Sequence, residues 1–120
     1  MTQIWHTIEL NKKEIIDKAH KNTLVETLDI RITEIGDDFI KGTMPVDSRT
    51  KQPAGLLHGG ASMALAETLA STGAYLCIDS EKYRIVGQEI NANHIRSVTS
   101  GRVTGIAKPV FLGKRTQVWE

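Results

Sequence analysis

One carboxylate stands out because it is the only charged residue in a long apolar stretch. Residues 59 to about 78 are rich in Ala, Leu and other good helix formers, and Glu67 is the only charge among them. Removing a carboxylate from water is costly unless a partner compensates it. Glu67 therefore either lies with Ser71 on a solvated stripe of the helix, or acts in an apolar cleft as a base or nucleophile. The two alternatives differ in the burial and in the pKa of this carboxyl group.

A histidine and two glycines, His58, Gly59 and Gly60, stand where this helix is expected to begin. The first N–H groups of a helix are unpaired donors at the positive end of its dipole, and glycine lets a ligand approach them. Such donors suit a developing oxyanion. The alternative is that the glycines only permit a sharp turn into the helix. His58 is interpreted as a general acid, a substrate clamp or a structural hydrogen-bonder, and the clamp is favoured over the acid because no neighbouring carboxylate orients its ring.

The spacing of Gly59 and Glu67 indicates how such a site is assembled. Eight positions along a helix correspond to about 12 Å. One chain therefore cannot bring both groups onto one carbonyl carbon, which requires contacts of about 3 Å. We predict a site across a dimer interface, with the oxyanion donor from one subunit and the carboxylate from another.

Several other polar residues allow both a binding role and an ordinary surface role. Gln52, in the loop before the helix, can donate an N–H to a carbonyl or position a water, or is a solvated loop residue. His94 is open to the same interpretations as His58. The basic residues of the C-terminal region are either charges on a solvated sheet face or, for Arg96 and the Lys114–Arg115 pair at the Gly113 turn, a phosphate-binding rim.

No metal site and no internal disulfide are predicted. The HExxH and paired-cysteine motifs are absent, and no metal-ligand spacing links the four histidines, His6, His20, His58 and His94. Cys77 is the only cysteine, and it lies near the end of the apolar stretch. It is interpreted as a core residue rather than a nucleophile.

The composition is that of an ordinary globular domain. The chain has 120 residues, a formal net charge of +1, 24% charged residues and 40% hydrophobic residues. These values disfavour a disordered chain and a basic nucleic-acid binder. No run approaches the roughly 18 apolar residues of a membrane span, and the first residues do not resemble a secretory leader. We expect a single cytoplasmic domain over residues 1–120.

Hydrophobic periodicity predicts the order of the elements. It indicates a short helix over residues 11–22, a hairpin from 24 to 46 with its turn at 36–38, a loop over 47–55 and a long helix over 59–78. Three β-rich runs follow, over 83–95, 101–110 and 114–120. This order favours the α+β class, with an antiparallel sheet packed on one helix.

The run KQPAGLLHGGASMALAETLAS, residues 51–71, resembles the hot-dog acyl-CoA thioesterases. The branch is the one related to 4-hydroxybenzoyl-CoA thioesterase and to the thioesterases of menaquinone and enterobactin metabolism. The match continues in IGDDFIKGTMPVDSRT, VGQEINANHIRS and GKRTQVW. The resemblance implies a curved antiparallel β-sheet wrapped around one long central helix. It also implies hydrolysis of acyl-CoA or acyl-carrier-protein thioesters, with aromatic or medium acyl groups and without a cofactor.

The same resemblance implies a role for each matching residue. Glu67 would be the nucleophile or the general base for water, and the Gly59 N–H would polarise the thioester carbonyl. Gln52 and His58 would lie near the thioester or the attacking water, and Ser71 near the carboxylate. The acyl-pantetheine arm or the CoA nucleotide would be approached by the remaining candidates, which are His94, Arg96, Gly113, Lys114 and Arg115.

Members of this family are usually homotetramers built from dimers, with sites at the dimer interface. The family normally continues past the QVW strand through a turn and a final strand. We therefore expect residues 1–120 to lack the C-terminal strands of the family and to fold or assemble less well. Two other functions are considered. One is a non-catalytic module that binds acyl-CoA or a carrier protein. The other is a hydroxyacyl-thioester dehydratase, which the absence of a catalytic histidine beside Glu67 disfavours.

Overall fold

The elements of the fold are those of an α+β protein. The computed structural model describes residues 3–6 and 12–120. Within these residues the helices and strands are α1 (Lys12–Ala19), α2 (Leu24–Thr27), β1 (Arg31–Ile35), β2 (Ile40–Pro45), α3 (Gly59–Leu76), β3 (Arg102–Ala107), β4 (Pro109–Leu112) and β5 (Gln117–Trp119). None of the described helices is long and apolar enough to cross a bilayer.

The described strands form two antiparallel sheets. The order β1-β2-β3 forms one sheet, and β4 pairs with β5 in a second. The turn between β1 and β2 is closed by the Gly36 N–H, which donates to the Phe39 carbonyl at 2.9 Å. The turn between β4 and β5 is closed in the same way, from Gly113 to Thr116 at 2.9 Å. Both predicted turns are confirmed, as is the antiparallel sheet packed on one helix.

Glycines in the strands let α3 lie close to the sheet. Leu69, at the centre of α3, is only 1% exposed. A Cβ atom on Gly42 of β2 would lie 2.7 Å from Leu69 Cδ2, and one on Gly105 of β3 would lie 2.8 Å from Leu69 Cδ1. Both distances are shorter than real contacts of a Cβ atom. The missing side chains of two neighbouring strands therefore make the space that Leu69 fills.

The loop between β2 and α3 is held by hydrogen bonds that set the start of the helix. Thr50 is 2% exposed, and its hydroxyl donates to the Pro45 carbonyl at 2.7 Å. The His58 N–H donates to the Thr50 carbonyl at 2.8 Å, and the Leu57 N–H donates to the Val98 carbonyl at 2.8 Å. The loop predicted over residues 47–55 is confirmed, and these bonds fix the point from which α3 departs.

The prediction of a strand over residues 83–95 is wrong for the chain as described. Residues 84–95 make no backbone hydrogen bond to the described part of the chain, and their backbone forms no strand. Alternating β-rich residues favour an extended backbone, but a strand also requires a neighbour that supplies hydrogen bonds. We call residues 83–95 the crossing segment, because it runs past α3 at the two contacts described below.

Two smaller differences between the predicted and the observed elements have local causes. The run predicted over 101–110 is divided between β3 and β4 at Lys108, which precedes Pro109, and proline has no N–H to donate. The hairpin predicted from Leu24 begins only at Arg31. Residues 24–27 form a helical turn, in which the Leu28 N–H donates to the Leu24 carbonyl at 2.9 Å. Asp29 then adopts a positive φ of 52° before β1 begins.

Candidate active site

The start of α3 is capped by its own histidine. His58 has an extended backbone, and its Nδ1 atom accepts a hydrogen bond from the Gly60 N–H at 2.7 Å. An accepting Nδ1 carries no proton, so the proton of the neutral ring is on Nε2. The structural hydrogen bond considered for His58 is therefore present. Because the side chain is exposed, Nε2 remains able to donate to another group.

The Gly59 N–H is the unpaired donor beside this cap. It makes no hydrogen bond to the described part of the chain. The ring of His94 lies against the Cα of Gly59, since a Cβ atom at this position would be 2.8 Å from His94 Nε2. The structure thus brings His58, Gly59 and His94 together at the positive end of α3, an arrangement suited to a developing negative charge.

Glu67 lies two turns further along α3. Its side chain is half-buried, and its Oε2 atom accepts a hydrogen bond from the Ser71 hydroxyl at 2.9 Å. Its Oε1 atom lies against the crossing segment, where a Cβ atom on Gly87 would be only 2.1 Å away. The hydrogen bond with Ser71 agrees with the prediction that both residues share one stripe of the helix. The contact with the crossing segment agrees with the alternative, in which the carboxylate lies in a cleft. The carboxylate is therefore neither fully solvated nor fully buried.

Gln52 is ordered by the loop in which it lies. Its N–H donates to the Leu56 carbonyl at 2.8 Å, and its carbonyl accepts from the Gly55 N–H at 2.9 Å. Its side-chain oxygen accepts a hydrogen bond from the Ala54 N–H. The side-chain nitrogen makes no hydrogen bond to the described residues and can donate to a carbonyl oxygen or a water.

The basic candidates lie on the surface of the described chain. Arg96 is exposed just beyond the crossing segment, and Lys114 and Arg115 are exposed in the turn between β4 and β5. Gly113 packs in that turn against the ring of Phe111, whose Cε2 atom would be 2.6 Å from a Cβ at Gly113. No hydrogen bond or ion pair joins these residues to Gly59 or Glu67 within the described chain.

Two further predictions concern metal ligands and Cys77. No group of three or more His, Cys, Asp or Glu residues among them has the arrangement of a metal site. Cys77, which follows α3, is half-buried and packs against the hydrophobic core. This position agrees with its interpretation as a core residue.

One chain thus holds its candidate residues in two groups on the same helix. The first comprises the start of α3 with His94, and the second comprises Glu67, Ser71 and Gly87. Sequence reasoning did not single out Gly87, although an isolated glycine within an alternating β-rich run signals a close approach of another group. That signal was present in VGQEI, residues 86–90.

Comparisons with known proteins identify the family of the chain. Residues 54–120 match the model of a family described as the thioesterase superfamily. The 1,4-dihydroxy-2-naphthoyl-CoA hydrolase of Escherichia coli (strain K12) is 55% identical over 107 residues, which cover 89% of this chain and 78% of that protein. The proofreading thioesterase EntH of Cronobacter turicensis is 50% identical over 107 residues, covering 89% of this chain and 77% of that protein.

A solved structure is similar over almost the whole chain. It is the crystal structure of a glutamine-to-alanine mutant of the thioesterase PA1618 from Pseudomonas aeruginosa. The TM-score is 0.93 at 45% sequence identity, and the match covers 98% of this chain and 83% of that one.

Proposed function

Because the chain belongs to the thioesterase superfamily and is a thioester hydrolase of hot-dog fold, we propose that Glu67 and Gly59 carry out its reaction on acyl-CoA substrates. An aromatic or medium acyl group is proposed for the substrate. The name of the E. coli relative, a naphthoyl-CoA hydrolase, supports the aromatic class. The names of the relatives favour hydrolysis over the binding-module and dehydratase alternatives.

The observation that carries this proposal is the state of the Glu67 carboxylate. Ser71 orients one oxygen at 2.9 Å, and the other oxygen faces the backbone at Gly87. No Lys or Arg of the described chain forms an ion pair with it. An oriented carboxylate without a cation partner is free to attack a carbonyl carbon or to take a proton from water.

The start of α3 supplies the complementary chemistry. As the carbonyl carbon is attacked, negative charge develops on its oxygen, and the Gly59 N–H is the proposed donor to that oxygen. The Nε2–H of His58 and the side-chain nitrogen of Gln52 are further donors for the thioester or the water. The C–S bond then breaks, the thiol of CoA leaves with a proton, and the acid product is released after a water has been consumed.

We place the complete site between two subunits. Gly59 and Glu67 are eight positions apart on one helix, about 12 Å along its axis, so each of the two groups needs a complement from another subunit. The proposed assembly is a dimer or a dimer of dimers. Acyl carrier protein as an alternative carrier and a cytoplasmic location belong to the same proposal. His94, Arg96 and the turn at Gly113, Lys114 and Arg115 are proposed to contact the acyl-pantetheine arm or the nucleotide.

The first test is thiol release from benzoyl-CoA and from a medium-chain acyl-CoA. Glu67→Gln keeps the size of the side chain and removes the carboxylate, so we expect kcat to fall by about 10²–10⁴-fold. Glu89→Gln makes the same chemical change at an exposed position of the crossing segment and serves as the matched control. Turnover that survives Glu67→Gln would contradict the role of this carboxylate.

Subunit mixing tests the proposed interface. Gly59→Ala and Glu67→Gln proteins are unfolded together, refolded and assayed. A mixed dimer contains one site in which both groups are intact, so we expect recovery of about a quarter of the parent activity. Recovery that stays at the level of the two separate variants would show that both groups act within one subunit.

The nucleophile and general-base roles of Glu67 differ in the fate of oxygen. In a single turnover in H₂¹⁸O, a mixed anhydride places the label in the enzyme carboxylate when water attacks the carboxylate side. Direct attack by water places it only in the product. Label found by mass spectrometry in the peptide that contains Glu67 identifies the nucleophile role.

A further inference from the structure

Gly87 occupies the position at which a side chain would collide with the Glu67 carboxylate. The ideal Cβ of residue 87 would lie 2.1 Å from Glu67 Oε1, 3.1 Å from Cδ and 3.4 Å from Oε2. Contacts of a Cβ atom below 3.0 Å are essentially never seen. Even alanine at this position therefore requires the carboxylate or the crossing segment to move by about 1 Å.

The requirement for glycine at this position is spatial. Gly55 and Gly101 adopt positive φ values of 84° and 83°, at which a side chain is strained. Gly87 does not have a positive φ, so its backbone accepts other residues. The nearest obstacle to a side chain here is the end of the Glu67 side chain, since the three nearest atoms to a Cβ at this position all belong to that carboxylate, which must shift to admit one.

We propose that Gly87 is a positioning residue for Glu67, and that its bare backbone sets where the reactive oxygen lies. This inference rests on the proposed function of Glu67. Ser71 holds Oε2 from the same helix, and Gly87 limits Oε1 from the crossing segment. The carboxylate is thereby oriented from two sides, and a methyl group at residue 87 moves it away from the thioester carbon.

The effect on catalysis follows from the size of this displacement. A misplacement of about 1 Å can cost about 100-fold in rate, because the reacting atoms must be aligned within a near-attack geometry. We expect Gly87→Ala to lower kcat by about this factor and to change KM little, since the thioester substrate does not lose a binding group. Gln88→Ala is the matched control, because Gln88 is the adjacent residue of the crossing segment and is exposed.

A double-mutant cycle separates positioning from a general disturbance of the crossing segment. Glu67→Asp shortens the carboxylate by one methylene and withdraws it from residue 87. We expect Glu67→Asp to be slow by itself, and Gly87→Ala to cause less than a twofold further loss in that background. The proposal would be overturned if Gly87→Ala lowered kcat by the same factor in both backgrounds. It would also be overturned if Gly87→Ala alone left kcat unchanged.

Thermal unfolding keeps the proposal testable if Gly87→Ala folds poorly. We expect this substitution to lower Tm in the parent chain and to leave Tm unchanged in a Glu67→Ala background, where the collision is absent. An equal loss of Tm in both backgrounds would contradict a specific contact with Glu67. Failure of the inference is also distinct from failure of the proposed function. An inactive Glu67→Gln with a fully active Gly87→Ala rejects only the inference, and an active Glu67→Gln rejects the function.

Discussion

The hydrogen bond between His58 and Gly60 gives one side chain two tasks. As the N-cap of α3, the imidazole compensates an N–H that the helix itself leaves unpaired. The same bond selects the tautomer in which Nε2 carries the proton, and so prepares that atom as a donor. The residue that starts the helix thereby helps to build the proposed oxyanion site beside Gly59.

Substitutions of His58 separate the two tasks. His58→Ala removes the cap, and we expect a loss of about 1 kcal/mol in the free energy of unfolding. His58→Asn restores a capping acceptor, so its stability should return close to that of the parent while thiol release remains slow. Urea unfolding and steady-state assays of the three proteins measure both effects. An Asn variant with full turnover would show that the imidazole contributes nothing to the reaction.

The parts of the site that lie on one continuous stretch could be predicted from the sequence. Glu67, Gly59 and His58 share one helix and its start, so their order and spacing follow from helical geometry. The contacts with His94 and Gly87 join residues that are far apart in the chain. Such contacts depend on how the crossing segment packs against α3, which local periodicity does not specify.

At the scale of the elements, the close packing of α3 on the sheet determines how far the candidate site residues of this helix lie from the sheet. Leu69 lies two positions after Glu67 and enters the space above Gly42 and Gly105. The apolar face of the helix thus packs against the sheet. Glu67 lies on another face, where it contacts the crossing segment. Packing and the proposed catalysis thus involve different sides of α3.

Truncation of this contact should loosen the helix. We expect Leu69→Ala to lower the free energy of unfolding by about 2–5 kcal/mol, because it removes a fully buried side chain and leaves a cavity between glycines that cannot fill it. Chemical denaturation measures the change. Tyr75→Ala, at a position of α3 that is 44% exposed, should cost much less. Equal costs at the two positions would contradict the seating of α3 through Leu69.

The elements themselves followed from the sequence wherever the deciding interactions are local. The long helix, the hairpin and its turn were predicted because their periodicity and turn residues lie within short windows. The strand predicted over residues 83–95 failed because pairing depends on a neighbour that these residues lack within the described chain. The division at Lys108 follows from the missing N–H of Pro109, a signal that was present in the sequence.

At the scale of the whole molecule, exposed apolar side chains concentrate on two surfaces. They lie on the crossing segment and on the β4–β5 sheet, at Tyr83, Val86, Ile90, Ile95, Val110, Phe111, Leu112 and Val118. Large exposed apolar patches are typical of surfaces that bind other proteins. These surfaces support the proposed assembly of subunits. The crossing segment also carries Gly87, so the proposed assembly and the proposed placement of Glu67 involve the same stretch of chain.

A network of charges ties the strands of the main sheet together. Arg102 on β3 donates to the Asp29 carboxylate at 3.0 Å, to the Asp29 carbonyl at 2.8 Å and to the Thr43 hydroxyl of β2 at 3.1 Å. Arg31 on β1 donates to the same carboxylate at 2.9 and 3.0 Å. Hydrogen bonds from Arg31, followed by those from Arg102, hold the pKa of Asp29 below its ordinary value of 3.8.

This lowered pKa makes the stability of the fold sensitive to acid. The folded chain binds fewer protons at Asp29 than the unfolded chain, so the stabilisation is complete above pH 3.8 and is lost as the pH falls through the folded pKa. Asp47 should act in the same direction, since hydrogen bonds from Arg49 lower its pKa to about 2.

We expect Asp29→Asn to be less stable than the parent at pH 7 and to lose less stability between about pH 5 and pH 2. Urea unfolding across this pH range measures the slope. Glu14→Gln, which removes an exposed carboxylate from α1, is the control for the change in net charge, and a slope reduced as much by Glu14→Gln would contradict a specific role for the Asp29 network.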